Sequence, residues 1–230
     1  MTVRIAKFLS DCSVASRRGA EKLIADGAVA INGKIIDSPV NFVSDQDTVT
    51  VNGVVVGAQK TEIYAFYKPI NTMTTAHDPE GRKTIYDVLP KQYRHLKYIG
   101  RLDYKTTGLL LLTNNGELAR KLTLPSSKIP RVYIAQVSGD TKNIERARRG
   151  IIVDGIKYAP MKIDEIEPNI LRIEITEGKK NEIRIVMRAC GCLVVKLHRI
   201  KYGKIELGKL TVGQIKKISQ KTIDEIIKTL

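Results

Sequence analysis

The chain has 230 residues, with 39 lysines and arginines against 24 aspartates and glutamates, so its formal net charge is +15. That balance favours polyanionic partners, nucleic acid first among them. No apolar run approaches the roughly 18 residues that a membrane helix needs, and the longest leucine block is only Leu109 to Leu112.

In chain order, the N-terminal residues interrupt their apolar positions too often to form the core of an export signal. Ile5, Phe8 and Leu9 recur at helical spacing, and Ser16 is placed to cap a second helix through Leu23 and Ile24 that Gly27 ends. Val29 and Ile31 lead to Asn32-Gly33, a two-residue hairpin signal, with Ile35 resuming beyond it. Asn52-Gly53 repeats the signal between Val49, Val51 and the run from Val54 to Val56. Residues 57–60 read as a linker, which divides the chain into a small α/β module, 1–60, and a second domain, 61–230. From Glu62 the strands lengthen, at 63–67, 132–137 and 171–175, among short helical stretches. They do not alternate in regular βαβ units, so an α+β fold with a mixed, mainly antiparallel sheet is expected.

Cys12, Cys190 and Cys192 are odd in number, and the last two are one glycine apart. This suits neither a disulfide framework nor a zinc site, and a reducing cytoplasm fits. His77, His95 and His198 lie far apart, without a second ligand at helical spacing, and read as surface or packing residues.

Arg17 and Arg18 fall in the first turn of the second helix, immediately after Ser16. Cations there lose about 0.3 to 1 kcal/mol against the helix dipole unless an anion is close. A bound phosphate would reverse that sign, and a merely solvated pair is the equal alternative. The order of signals, Arg4 to Leu9, then Ala15-Ser16-Arg17-Arg18, then Glu21 to Ile24, then Gly27 to Gly33 and Lys34, resembles the S4 RNA-binding domain. By that resemblance Arg17, Arg18 and Lys22 lie against RNA. Ala6 and Cys12 depart from the residues more usual there.

The run Gly100-Arg101-Leu102-Asp103-Tyr104-Lys105-Thr106-Thr107-Gly108, four leucines and Thr113-Asn114-Asn115-Gly116 reads as loop, buried strand and turn. A lone aspartate before an apolar strand is usually a turn or capping group. Residues 100–114 as a whole resemble the signature of the RsuA/RluB family of bacterial ribosomal RNA pseudouridine synthases. The likeness extends from Lys68-Pro69 to Leu210 and Gly213.

The resemblance implies an enzyme that cleaves the bond between ribose C1′ and uracil N1, turns the base and rejoins it through C5, with Asp103 as the catalytic carboxylate. Burial beside a base would disfavour an ionised carboxylate, so a fixed cation is required nearby. The family's pattern assigns this to Arg184, in an amphipathic helix expected to open across 177–184 and continue through Arg188; arginine suits a two-oxygen grip. Read without the resemblance, Arg184 and Arg188 are a solvated helix face. Tyr133 takes the position of the family's tyrosine on the target base, although a strand tyrosine by itself is more often core. Leu197 is expected to line the base pocket, and Arg101 and Lys105 to meet phosphates. Ile185, Glu182 and Arg131 depart from the family's more usual arginine, glutamine and lysine.

No metal and no cofactor is called for, since an isomerisation moves no group to a second molecule. The partner implied is ribosomal RNA or a pre-ribosomal particle, met by a monomer in the cytoplasm. A non-catalytic ribosome-assembly factor would share the charge and the S4-like module but has no need of the run around Asp103. The same chemistry on transfer RNA fits the S4-linked architecture less well.

Overall fold

Ser16 begins the ordered helix that its sequence predicts, its Oγ accepting from the Gly19 amide at 3.0 Å. The structure, a computed structural model, describes residues 2–12, 14–57 and 60–228. Of the expected linker, Ala58 and Gln59 lie outside the described residues. The chain divides into two units, Met1–Thr61 with His95–Lys97 and Asn114–Gly116, and Glu62–Arg94 with Tyr98–Thr113 and Glu117–Leu230.

The first unit holds β1 (Val3–Arg4), α1 (Ile5–Asp11), α2 (Arg17–Ala25), β2 (Val29–Ile31), β3 (Lys34–Ile35), β4 (Phe42–Val43), β5 (Val49–Val51) and β6 (Val54–Val56). Ile5 and Leu9 of α1 and Ala20 and Ile24 of α2 close over Val29, Val43 and Val49. Four strands pair in the order β3-β2-β5-β6. Both predicted hairpins form: Asn32 and Gly33 have φ of 50° and 81°, and Asn52 and Gly53 φ of 50° and 79°. Two successive left-handed residues give the turn whose twist matches the flanking strands.

The second unit, apart from Lys97 and Gly116 at the starts of β8 and α4, runs β7 (Ile63–Lys68), α3 (Ile85–Val88), β8 (Lys97–Ile99), β9 (Thr106–Thr113), α4 (Gly116–Thr123), β10 (Arg131–Gly139), α5 (Glu145–Arg149), β11 (Ile151–Val153) and β12 (Ile156–Tyr158). It continues with β13 (Lys162–Glu167), β14 (Ile170–Ile175), α6 (Glu182–Ala189), β15 (Cys192–Tyr202), β16 (Ile205–Glu206), β17 (Ile215–Lys217) and α7 (Gln220–Ile227). Its main sheet has the order β13-β14-β10-β15-β9-β7-β17. β15 pairs antiparallel with β10 but parallel with β9, through Leu197 to Thr106 and Arg199 to Gly108. The sheet is therefore mixed and mostly antiparallel, as expected.

Leu109 and Leu111 of β9 pack with Leu118 and Leu122 of α4 and Ile223 and Ile226 of α7. Leu110 and Leu112 point to the opposite face and are equally buried, so both faces of this strand are covered and its sequence shows no alternation. Helix α6 starts at Glu182, later than the sequence pattern suggests. Asn181 adopts a left-handed conformation at φ 54°, which separates the preceding segment from the helix.

Candidate active site

Asp103 ends the segment that enters β9, and the Thr106 amide donates to its carbonyl at 3.0 Å to close the turn. Behind this turn Lys68, at the end of β7, is fully buried. Its Nζ donates to the carbonyls of Pro69 at 3.0 Å, Asp103 at 3.3 Å and Thr106 at 2.9 Å. Three acceptors match the three donors of an ammonium. Burial lowers the Lys68 pKa to about 8, while the charge of Asp103 opposes that shift and Arg199 adds to it.

A cavity of about 390 Å³ opens over this turn. Arg101 and Asp103 line one side, Tyr133 of β10 and Leu197 and Arg199 of β15 another, and the segment from Glu177 to Glu182 a third. Arg199 is held in place by its Nε, which donates to the Leu109 carbonyl at 2.7 Å, and by Nη1, which reaches the Tyr133 hydroxyl at 3.5 Å. Its Nη2, the Thr106 hydroxyl and Glu182 Oε1 are buried without a partner. All three residues line the same cavity, so polar groups without a partner in the fold are concentrated in its wall. Gly108 makes the arrangement possible: at φ +102° a side chain there would collide with the main chain of Arg199.

Arg184 is near enough for the charge of Asp103 to raise its pKa, although burial wins and lowers it. The two do not form the expected two-oxygen ion pair. Arg184 Nη1 instead donates to the Val194 carbonyl at 2.7 Å and Nη2 to the Lys105 carbonyl at 3.2 Å, so the guanidinium ties α6 to β15 and to the turn after Asp103. It lines a neighbouring depression with Arg188, Asp154 and Asn181. Lys105 stands outside the cavity lining, with its Nζ 5.5 Å from the centre of the Tyr104 ring.

Lys68 and Arg199 received no role from sequence reasoning. Lys68-Pro69 was visible only as the edge of the family likeness, and Arg199 only as the residue two beyond Leu197. The signal that would have found them is a cation placed among apolar strand residues, where burial requires partners.

In the first unit Arg17, Arg18 and Lys22 are exposed on α2, two of them in the turn whose amides carry partial positive charge. Among the described residues no three of His, Cys, Asp and Glu gather where they could hold a metal ion, and no helix is long and apolar enough to cross a membrane.

Residues 62–189 match the RNA pseudouridylate synthase family and residues 3–49 the S4 domain. An uncharacterized RNA pseudouridine synthase of Aquifex aeolicus (strain VF5) is 40% identical over 238 residues, which cover 100% of this chain and 96% of that protein. Ribosomal large subunit pseudouridine synthase B of Bacillus subtilis (strain 168) is 35% identical over 94% of this chain and 92% of its own. A crystal structure of a pseudouridylate synthase superposes with a TM-score of 0.70 at 26% identity, covering 99% of this chain and 100% of that one.

Proposed function

Since the chain belongs to the RNA pseudouridylate synthase family and so isomerises uridine to pseudouridine in RNA, we propose that its substrate is ribosomal RNA and that Asp103 is the acting carboxylate. The observation that carries the assignment is the placement of Asp103 on a cavity shared with Tyr133 and Leu197, with the charges of Lys68 and Arg184 close enough to interact with it. Ribosomal RNA is favoured by the net charge of +15, by the S4 domain and by the ribosomal name of the Bacillus subtilis relative. Such a substrate places the reaction in the cytoplasm, on free ribosomal RNA or a pre-ribosomal particle, with the chain acting as a monomer.

The reaction balances within one nucleotide. The bond between C1′ and N1 breaks, the base turns, C5 bonds to C1′, the proton on C5 leaves to water and N1 gains one. Asp103 acts on the nucleoside directly, by attack or by proton removal. Tyr133 and Leu197 hold the loosened base while it turns, which keeps it from diffusing away. Arg101, at the exposed rim, meets the backbone phosphate on the near side, and Lys105 one further out.

A uridine stacked in a helix cannot enter this cavity, so the nucleotide must be extruded at a cost of a few kcal/mol. Phosphate contacts made by Arg17, Arg18 and Lys22 of the 1–60 module offset that cost, leaving residues 61–230 to perform the chemistry.

The test is Asp103→Asn. We expect it to abolish tritium release from 5-tritiated uridine in ribosomal RNA while RNA binding stays within about twofold of wild type. Turnover close to wild type would overturn the assignment.

A further inference from the structure

Glu182 is an anomaly in the wall of the cavity. It is only 3% exposed, its Oε2 accepts from the Lys179 amide at 2.9 Å, and its Oε1 has no donor. Lys179 brings Glu177 to the same wall, since its amide donates to Glu182 and its ammonium to Glu177. Glu177 is itself fully engaged: Oε1 accepts from the Ala159 amide at 2.6 Å and Oε2 from the Lys179 ammonium. Two ionised carboxylates held around one lysine would repel, and one of these is out of water. A proton on Glu182 Oε1, donated to Glu177, removes the repulsion and supplies the missing partner.

We propose that Glu182 and Glu177 share one proton, and that this proton latches residues 177–181, one wall of the cavity, to helix α6 so that the site is competent only while the proton is held. This rests on reading the cavity as the catalytic site. Glu182 is then a positioning residue: it opens the helix that carries Arg184 two residues on, and the latch sets where that helix meets the wall.

The electrostatics agree. Burial first, then the charge of Glu177, push Glu182 up to about 7, opposed by the amide and the ammonium of Lys179, whereas Glu177 is lowered by the Ala159 amide and by Lys179 against its burial. Such a pair titrates as a unit. Other charged groups face the same wall. From β10, Arg131 Nη1 donates to the carbonyls of Thr176 at 3.2 Å and Glu177 at 3.0 Å, and bears on the backbone alone. From the β12 side, Lys179 Nζ donates to the Lys157 carbonyl at 2.9 Å and lies 5.4 Å from the Tyr158 ring centre. Lys180, Arg101, Asp103 and Arg199 line the cavity around it.

The sign follows from the raised value. The folded pair keeps a proton that an unfolded glutamate gives up near 4.5, so stability declines as pH rises from about 4.5 to about 7 and is level beyond. Activity declines as the proton is lost, tenfold per pH unit above the upper value.

Two measurements test this. The first is an infrared titration of the whole protein without RNA, which does not depend on the catalytic assignment. A protonated-carboxyl band should persist at pH 6, vanish through pH 7 and be absent from Glu182→Gln. The second is the pH profile of kcat/KM for tritium release from 5-tritiated ribosomal RNA transcripts. Glu182→Gln keeps a neutral donor at every pH, so it should stay within about twofold of wild type at pH 6 and lose the decline centred near 7. Glu182→Ala, checked for folding by circular dichroism, should lose about tenfold at every pH. A band unchanged in Glu182→Gln, or a Glu182→Gln profile that keeps the decline near 7, would overturn the latch.

Discussion

The ammonium of Lys68 donates to the main-chain carbonyl of Asp103 at 3.3 Å, so the residue that carries the proposed chemistry is gripped by its backbone and not by its carboxylate. The same ammonium reaches Pro69 and Thr106, so it ties the turn that presents Asp103 to the end of β7.

Replacing Lys68 by Met should therefore damage both fold and function. Three carbonyls lose a charged donor, and leaving buried acceptors unmet costs about 1 to 3 kcal/mol. We expect a Tm lower by roughly 2 to 12 °C for a chain of this size, and a fall in kcat of at least tenfold. Calorimetry and single-turnover tritium release are the measurements.

The wild type should also show a decline in activity near pH 8, above the one assigned to the Glu182 pair, as Lys68 loses its charge. Stability moves the other way. A depressed ammonium is shed by the folded chain before the unfolded one, so this group's contribution rises between about 8 and 10.5. A urea midpoint that fell over that range in the wild type but not in Lys68→Met would contradict the buried, charged state.

Arg184→Lys keeps the positive charge and loses the fork. A lysine cannot reach the Val194 and Lys105 carbonyls together, so the turn after Asp103 should loosen. The expected result is a drop in kcat on the order of tenfold to a hundredfold, with RNA affinity close to wild type. An unchanged kcat would mean that charge alone is needed.

For the first unit, Arg17→Glu with Arg18→Glu should weaken RNA binding and flatten its dependence on salt. Each phosphate contact contributes about 0.7 to 0.9 to the slope of log affinity against log salt, so two lost contacts should lower it by about 1.5. Filter binding at several salt concentrations measures it, and an unaltered slope would show that the arginines are only solvated.

Local signals were legible where local chemistry decides the structure. Ser16 capping, the Asn-Gly hairpins and the strand after Asp103 depend on neighbours within a few residues, and each is found as the residues suggest. The start of α6 was misplaced because the charged residues Glu177, Lys179 and Lys180 suit a helix, while Gly178 does not and Asn181 in a left-handed conformation separates the segment from the helix. Lys68 was passed over because its burial depends on Thr106, 38 residues away. The family likeness supplied Asp103, Tyr133 and Leu197, which the fold gathers on one cavity. The absence of an ion pair between Asp103 and Arg184 had no counterpart in the sequence, since it depends on where two carbonyls lie.

β15 enters the middle of the sheet, between β10 and β9, and it brings Leu197 and Arg199 to a turn about ninety positions earlier in the chain. A nascent chain that has emerged only as far as α6 already possesses its aspartate and its tyrosine, yet has no floor beneath a base. The proposed site is therefore completed only when β15 has been made, late in the synthesis of the chain.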